Sequence, residues 1–247
     1  MLIVANWKAY VEDLEKAKRL FAASKRLALA ARHTIVLAPS APLLGALAVR
    51  NRSGVAFAAQ DVSAVAGGAA TGEVTAQAYT SVGATYAIIG HSERRARGDT
   101  DPIVSEKLAH ALAHGLTPIL CIGERERDSD GRYLVRVREE LVAAIEPLAP
   151  KERAKVVIAY EPLWAIGKTA AAAIEADDLT EMALYIRKVL AEFLPGKSSA
   201  RALILYGGSV ESGNARDLAA GSGIDGFLIG HASTDPATFT LLVKQLS

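Results

Sequence analysis

Short apolar runs alternate with segments of helical periodicity along the whole chain. The runs are apolar at consecutive positions and rich in β-branched residues, which is typical of strands buried on both faces. Between them, apolar residues recur three and four positions apart, as on one face of a helix. We predict strands at Leu2–Trp7, Thr34–Ala38, Val55–Ala59, Thr85–Ile89, Thr117–Ile122, Val156–Tyr160, Ala202–Tyr206 and Gly226–Ile229.

Helical periodicity follows each predicted strand. We expect helices near residues 14–31, 42–49, 74–82, 101–114, 134–145, 179–193 and 212–220, and a terminal helix that begins at Asp235-Pro236. Asp101-Pro102 is expected to cap and start the fourth of these. Strands that are each followed by a helix indicate an α/β protein with a parallel sheet, and eight such units close into a single (β/α)8 barrel.

The structural alternative is an open, doubly wound sheet. It is disfavoured because no Gly-x-Gly-x-x-Gly turn follows the first strand. Neither a linker nor a low-complexity segment divides the chain, so we expect residues 1–247 to form one domain.

A barrel of this kind brings all its strand exits to one face. Glu161 follows the sixth strand and precedes Pro162, which ends the strand and opens a loop. A single glutamate at a strand exit is more often a surface residue than a catalytic one. Here, however, the same face is predicted to carry Lys8, His91 and Ser209.

Three of these side chains suggest proton transfer next to a carbonyl group. Glu161 is suited to remove a carbon-bound proton, while His91 begins a turn into a helix, a position that favours a neutral imidazole able to donate a hydrogen bond. Lys8 can neutralise an anionic substrate. Backbone N–H groups of Gly167, Gly230 and the run Gly207-Gly208-Ser209 are suited to phosphate. We expect neither a metal nor an organic cofactor.

Composition narrows the class of partner. Lys and Arg number 28 against 27 Asp and Glu, so no global charge attracts nucleic acid or an anionic membrane. Cys121 is the single cysteine, which excludes an intrachain disulfide. The sequence lacks the features of a signal peptide and an apolar run of membrane-spanning length. We therefore expect a soluble, cytoplasmic protein.

Three weaker motifs do not support other functions. Gly167-Lys168-Thr169 imitates the end of a P-loop, but Pro162 stands where that motif needs glycine. His110 and His114 have a zinc-like spacing without the usual glutamate after the first histidine. The sequon that begins at Asn51 has no secretory context.

Seven motifs, in order along the chain, carry a close resemblance to one family. They are Asn6-Trp7-Lys8, Ala58-Ala59-Gln60, Thr71-Gly72-Glu73, Gly90-His91-Ser92-Glu93-Arg94-Arg95, Cys121-Ile122-Gly123-Glu124, Tyr160-Glu161-Pro162-Leu163-Trp164-Ala165-Ile166-Gly167 and Tyr206-Gly207-Gly208-Ser209-Val210. Over essentially its full length the chain resembles triosephosphate isomerases, which are TIM barrels. The resemblance implies interconversion of dihydroxyacetone phosphate and D-glyceraldehyde 3-phosphate through an enediolate.

The resemblance also implies the roles of individual residues. Glu161 would be the base and His91 the electrophile, roles known for this family. Lys8 and Asn6 would be electrostatic partners, and Glu93 a supporting acid. The substrate phosphate would meet the backbone at Gly167, Ser209 and Gly230, with the N–H of His231 also available. The closing lid would consist of Pro162, Leu163, Trp164, Ala165, Ile166, Gly167, Lys168 and Thr169.

A homodimer is implied as well. The long loop Asp61 to Glu73 would place Thr71, at its tip, in the neighbouring subunit beside the partner's Lys8 and the partner's Glu93. Small and apolar residues of this loop, around Val62, Val65 and Ala69, would otherwise face solvent.

Three departures from the family pattern qualify these expectations. The lid passes from Ile166-Gly167 directly to Lys168-Thr169, two residues shorter than the family pattern. His231 stands where glycine is common, so a positive φ there would be costly. Asp61 replaces a usual asparagine. Two other functions stay open at this point: another phosphosugar isomerase, or a phosphate-binding barrel whose altered lid impairs turnover.

Overall fold

The fold is a closed barrel of parallel strands that pair in chain order, with the last strand returning to the first. The computed structural model describes residues 1–30, 33–167, 174–196 and 198–246. Its strands are β1 (Leu2–Asn6), β2 (Thr34–Ala38), β3 (Ala56–Ala59), β4 (Tyr86–Ile89), β5 (Thr117–Ile122), β6 (Val157–Tyr160), β7 (Ile204–Tyr206) and β8 (Gly226–Ile229). The prediction of a single (β/α)8 barrel is confirmed.

Helices surround the barrel and connect its strands. They are α1 (Leu14–Ala30), α2 (Ala41–Ala48), α3 (Ala76–Ser81), α4 (Ser92–Arg95), α5 (Asp101–Ala113), α6 (Arg132–Ile145), α7 (Pro150–Arg153), α8 (Ala176–Leu190), α9 (Ser198–Arg201), α10 (Ala215–Ala219) and α11 (Pro236–Gln245). Short 3-10 turns span Leu163–Ala165 and His231–Ser233. In the described part of the chain, no helix has the length and apolar character needed to cross a membrane.

Some helix ends differ from the predictions. Thr100, not Asp101, is the N-cap residue of α5; Asp101 lies in the first turn, where its carboxylate binds Arg95. Helix α8 ends at Leu190, and Phe193 packs against the core beyond that end. The one-turn helices α7 and α9 are absent from the predicted elements because a single turn is too short to show periodicity, whereas the helix start expected after His91 is present as α4.

The core has two layers that the strands separate. Side chains alternate along a strand, so successive residues face the barrel interior and the surrounding helices. The inner layer consists of Leu2, Val4, Val36, Ala38, Ala58, Ile88, Ile119, Cys121, Val157, Ala159, Leu205 and Leu228. The outer layer joins the other face of the strands to the helices. The barrel interior is therefore a packed core, and space for a ligand remains only at its ends.

The closing contact between β1 and β8 requires a glycine. Leu2 pairs with Gly226, and an added Cβ at Gly226 would overlap the carbonyl group of Leu2. Gly45, by contrast, lies in α2 with nothing within 4 Å of an added Cβ. The two glycines therefore form a matched pair for testing the closure.

We expect Gly226→Ala to destabilise the protein by about 3 kcal/mol or more, because the backbone of β1 or β8 must shift to admit the methyl group. Gly45→Ala should instead stabilise it by about 0.5–1 kcal/mol, through helix propensity and reduced entropy of the unfolded chain. Urea unfolding of both variants measures these effects. Equal stability of Gly226→Ala and the unaltered protein would contradict the closure described here.

Candidate active site

The alternation of strand residues carries selected side chains to the mouth of the barrel. Two residues beyond the last inner-layer residue of a strand, the next side chain on the same face is Asn6 in β1 and Glu161 after β6. The corresponding positions after four other strands are Gly90, Gly123, Gly207 and Gly230. An amide and a carboxylate therefore share the mouth with backbone that has no side chain, which leaves room above the core.

The backbone of two of these glycines lies so close to Glu161 that a side chain there would not fit. An added Cβ at Gly207 would lie 2.9 Å from Cγ of Glu161, and one at Gly123 would overlap the Glu161 carbonyl group. A cavity of 580 Å³ opens above these residues. Its lining brings together most of the predicted site residues: Asn6, Lys8, His91, Glu161, Gly167, Ser209, Gly230 and His231.

His91 is the N-cap residue of the one-turn helix α4, which fixes its ring. The backbone N–H of Glu93 donates to Nδ1 of His91 at 3.1 Å, while the His91 carbonyl accepts from Arg94 and Arg95. Because Nδ1 accepts a hydrogen bond, the proton of a neutral ring lies on Nε2. Nε2 lies 3.2 Å from Oε1 of Glu161, so the imidazole presents a neutral N–H donor to the site.

Two further hydrogen bonds hold Glu161 beside His91. Its Oε2 accepts from the backbone N–H of Ser92 at 3.1 Å, and its own N–H donates to the carbonyl of Ile122 at 2.8 Å. The residue is 2% exposed. Both carboxylate oxygens therefore lie against groups from the turn after β4.

Lys8 has a strained backbone that neighbouring side chains hold in place. Its φ is 46°, and it is the one non-glycine among the described residues with a positive φ. The Lys8 N–H donates to Oδ1 of Asn6 at 3.1 Å, and the Gln60 amide donates to the Lys8 carbonyl at 2.9 Å. Such a conformation costs about 1–3 kcal/mol and is typical of functional sites.

The Lys8 ammonium group forms an ion pair with Glu93 at 2.8 Å. Glu93 does not line the 580 Å³ cavity. It faces a neighbouring cavity of 300 Å³ that also contacts Asn6, Lys8 and His91. Partial burial raises the pKa of the Glu93 carboxyl, but the hydrogen bond and charge of Lys8 outweigh it, and the pKa is lower than the ordinary value of 4.5.

The same cavity also contains the residues predicted to meet phosphate. The Ser209 hydroxyl donates to the carbonyl of Ala165 at 2.8 Å, which joins the loop after β7 to the lid. His231 begins a 3-10 turn without a positive φ, so the strain considered for this position is absent. Its ring contacts Tyr10 edge to face, with 5.3 Å between ring centroids.

The first part of the predicted lid lies within the described residues, and its last two, Lys168 and Thr169, lie outside them. Glu124 holds this first part, a role that we did not predict. Its Oε1 accepts from Nε1 of Trp164 and from the Tyr160 hydroxyl, each at 2.8 Å. Burial raises the pKa of the Glu124 carboxyl despite these hydrogen bonds. The available signal is a carboxylate one residue beyond a buried strand, after Gly123.

The long loop after β3 differs from its prediction at one residue. Val62 was expected to face solvent, but it is 2% exposed and packs in the core of its own chain. Val65 and Thr71 are exposed. Asp61 pairs with the buried Lys107 ammonium at 2.7 Å and with Arg94 at 2.8 Å, so its extra charge is compensated.

Comparison with known proteins agrees with this geometry. The family model for triosephosphate isomerase matches residues 1–246. The chain belongs to the triosephosphate isomerase family. A triosephosphate isomerase from Thermus thermophilus is 40% identical, with 99% of this chain and 98% of the relative covered. Those from Ralstonia nicotianae and Streptomyces coelicolor are 42% and 37% identical, over 96% and 98% of this chain and 95% and 96% of the relative.

Membership of the triosephosphate isomerase family makes the chain an isomerase. The resemblance read from the motifs is thereby confirmed across the chain. Glu161, His91 and Lys8 all border one cavity.

The Lys8–Glu93 pair predicts a pH dependence of stability. Since the folded pKa of Glu93 is lowered, its contribution is fully present above about pH 4.5 and is lost as the pH falls through the folded value. We expect the difference in unfolding free energy between the unaltered protein and Glu93→Gln to vanish in acid. Urea unfolding from about pH 7 to about pH 3 measures it.

Lys8→Met is the control background for this measurement. Without the ammonium group, Glu93→Gln should change stability with a much weaker pH dependence, because most of the lowering of the carboxyl pKa is removed. An unchanged pH dependence in that background would show that Lys8 is not its cause.

Proposed function

We propose that this chain catalyses the interconversion of dihydroxyacetone phosphate and D-glyceraldehyde 3-phosphate. The observation that carries the proposal is the contact between Glu161 and a neutral His91 whose Nδ1 is occupied by the Glu93 N–H. A base beside a neutral hydrogen-bond donor is the arrangement needed to move a proton between carbons next to a carbonyl. No observation favours the alternative of a phosphate-binding barrel with impaired turnover.

Glu161 would act as the base. In the structure its carboxylate accepts from Ser92 and contacts His91, so it must exchange these partners for the substrate before it can remove a proton. The Nε2–H of His91 would then donate to the substrate carbonyl oxygen, which becomes negative in the enediolate. Completing the isomerisation also requires a proton to move between the two oxygens: Nε2 of His91 would give its proton to the former carbonyl oxygen and take the proton of the neighbouring hydroxyl in return.

Lys8 and Asn6 would supply the remaining electrostatic stabilisation. The Lys8 side chain is 18% exposed and borders the same cavity as His91 and Glu161. A positive charge fixed in advance needs no reorganisation when the enediolate forms. Asn6 and Glu93 would act on Lys8, one through its backbone N–H and the other through its ammonium group.

The phosphate would bind in the same cavity. Gly167, Ser209, Gly230 and His231 lie there, and their backbone N–H groups are the proposed donors. The lid from Pro162 to Thr169 would close over the phosphate and exclude water from the enediolate. The hydrogen bond from Ser209 to Ala165 supports a link between this site and the lid.

The loop Asp61 to Glu73 would mediate a homodimer. Its outer residues, including Val65 and Thr71, are exposed on a single chain. The 300 Å³ cavity beside Lys8 and Glu93 has a size suited to a loop tip from a second copy. We also propose that residues 1–247 form one domain and that the protein works in the cytoplasm, where a chain with a single cysteine needs no disulfide.

Glu161→Gln should lower kcat by about a hundredfold to ten-thousandfold, because it keeps the shape of the side chain and removes the base. Binding of phosphoglycolate should persist, since the phosphate donors are unchanged. An isomerase assay coupled to a dehydrogenase measures turnover, and Glu192→Gln, at a half-exposed carboxylate on the outside of the barrel, is the control. Near-native turnover of Glu161→Gln would rule out the proposed base.

Thr71→Arg should shift the protein towards monomer, because a bulky charge at the loop tip cannot enter the cavity of a second subunit. The matched control is Leu184→Arg, at an exposed residue of α8. Light scattering at assay concentration gives the mass of each variant. A fully active monomer of the unaltered protein would contradict the dimer proposal.

A further inference from the structure

One surface loop contacts both described flanks of the lid. The loop between β5 and α6 begins at Gly123 and ends at Gly131. Its residue Glu124 accepts from the Trp164 indole and the Tyr160 hydroxyl, and its carbonyl accepts from the Leu163 N–H at 2.9 Å. Two of these hydrogen bonds tie the start of the lid to this loop, and the third ties the loop to the end of β6.

Arg127, in the same loop, reaches the chain beyond the lid. Its guanidinium donates to Glu181 at 3.1 Å and lies 3.5 Å from Asp178, both in the first half of α8. The ring of Tyr133 lies under the guanidinium at 4.7 Å, and the Tyr133 hydroxyl donates to the other oxygen of Glu181 at 3.2 Å. The helix start is therefore tied to the loop that also holds Trp164.

This contact is more constrained than an ordinary surface ion pair. The Arg127 side chain is 18% exposed, although its partners Asp178 and Glu181 are 46% and 52% exposed. An arginine that is stacked on an aromatic ring and shared between two carboxylates has fewer accessible geometries than an isolated pair, so the positions of its partners are better defined.

We propose that Arg127 is a positioning residue for the isomerisation. It fixes the start of α8 relative to Trp164, and Trp164 lies on the short segment that directly follows Glu161. Loss of Arg127 leaves the Glu124 contacts with Trp164 in place but releases the start of α8, which follows the lid. Glu161 then reaches its reactive position less often. The inference rests on the proposed function, because it assigns Arg127 a role in the same reaction.

The chain provides a matched control in Arg138. This residue of α6 forms a bidentate pair with Glu192, just beyond the end of α8, with both distances at 2.7 Å. Arg127 and Arg138 therefore both link the α6 side of the barrel to the region of α8, but only Arg127 does so next to the lid. Removing either arginine should perturb the local structure to a similar extent, whereas only the removal of Arg127 should lower turnover.

The experiment compares Arg127→Met with Arg138→Met in the full chain. We expect Arg127→Met to lower kcat about fivefold with little change in KM, since the effect falls on the reactive arrangement and not on ground-state binding. Arg138→Met should leave both constants unchanged. Arg127→Lys should recover part of the lost kcat, because it retains the charge without the planar fork.

Hydrogen exchange provides a readout that is independent of turnover. Amides of residues 174–181 should exchange about tenfold faster in Arg127→Met than in Arg138→Met, because the start of α8 has lost its anchor. If Arg127→Met fails to fold, Glu181→Met removes the hydrogen bond to Arg127 from its exposed side, and the same faster exchange and lower kcat are expected.

Equal kcat and equal exchange in the two methionine variants would overturn the inference. A lower kcat without faster exchange would also overturn it, because the effect would then not pass through α8. Failure of the proposed function is distinguishable from both results. In that case the unaltered protein shows no isomerase turnover, while the exchange comparison still decides whether Arg127 anchors the helix.

Discussion

The contact between Glu161 and His91 depends on a hydrogen bond on the far side of the imidazole ring. The Glu93 N–H donates to Nδ1, which leaves Nε2 as the protonated nitrogen and turns it towards Oε1 of Glu161. That N–H is available only because His91 caps α4, a single turn whose first amides have no partner within the helix. A four-residue helix therefore determines which proton the site can offer.

Such a short helix cannot hold its own geometry, and its surroundings do so instead. Arg95 donates to the carbonyl of Gly90 and binds Asp101, while Arg94 binds Asp61 at the start of the loop after β3. At the ends of β1 and β3, Asn6 and Gln60 hold the strained backbone of Lys8. The strain at Lys8 and the fixed ring of His91 are thus stabilised by groups outside the reaction.

Much of this arrangement could be predicted from the sequence, because it follows from strand alternation. A run that ends on a carboxylate before proline places Glu161 at a strand exit, and the period of two carries it and Asn6 to the inner face. Partners contributed by different βα units could not be predicted. The contacts of Ser92 with Glu161 and of Glu124 with Trp164 depend on how those units pack, and so does the burial of Val62.

The tautomer of His91 tests the central claim most directly. Nitrogen-15 NMR of the histidine rings, at about pH 7.5 where an unperturbed imidazole is mainly neutral, distinguishes a proton on Nε2 from one on Nδ1. Comparison with His91→Gln assigns the resonance. The account predicts that Nε2 of His91 carries the proton and that Nδ1 is unprotonated. A proton on Nδ1 would contradict it, because the ring could then neither accept from Glu93 nor donate to the substrate carbonyl.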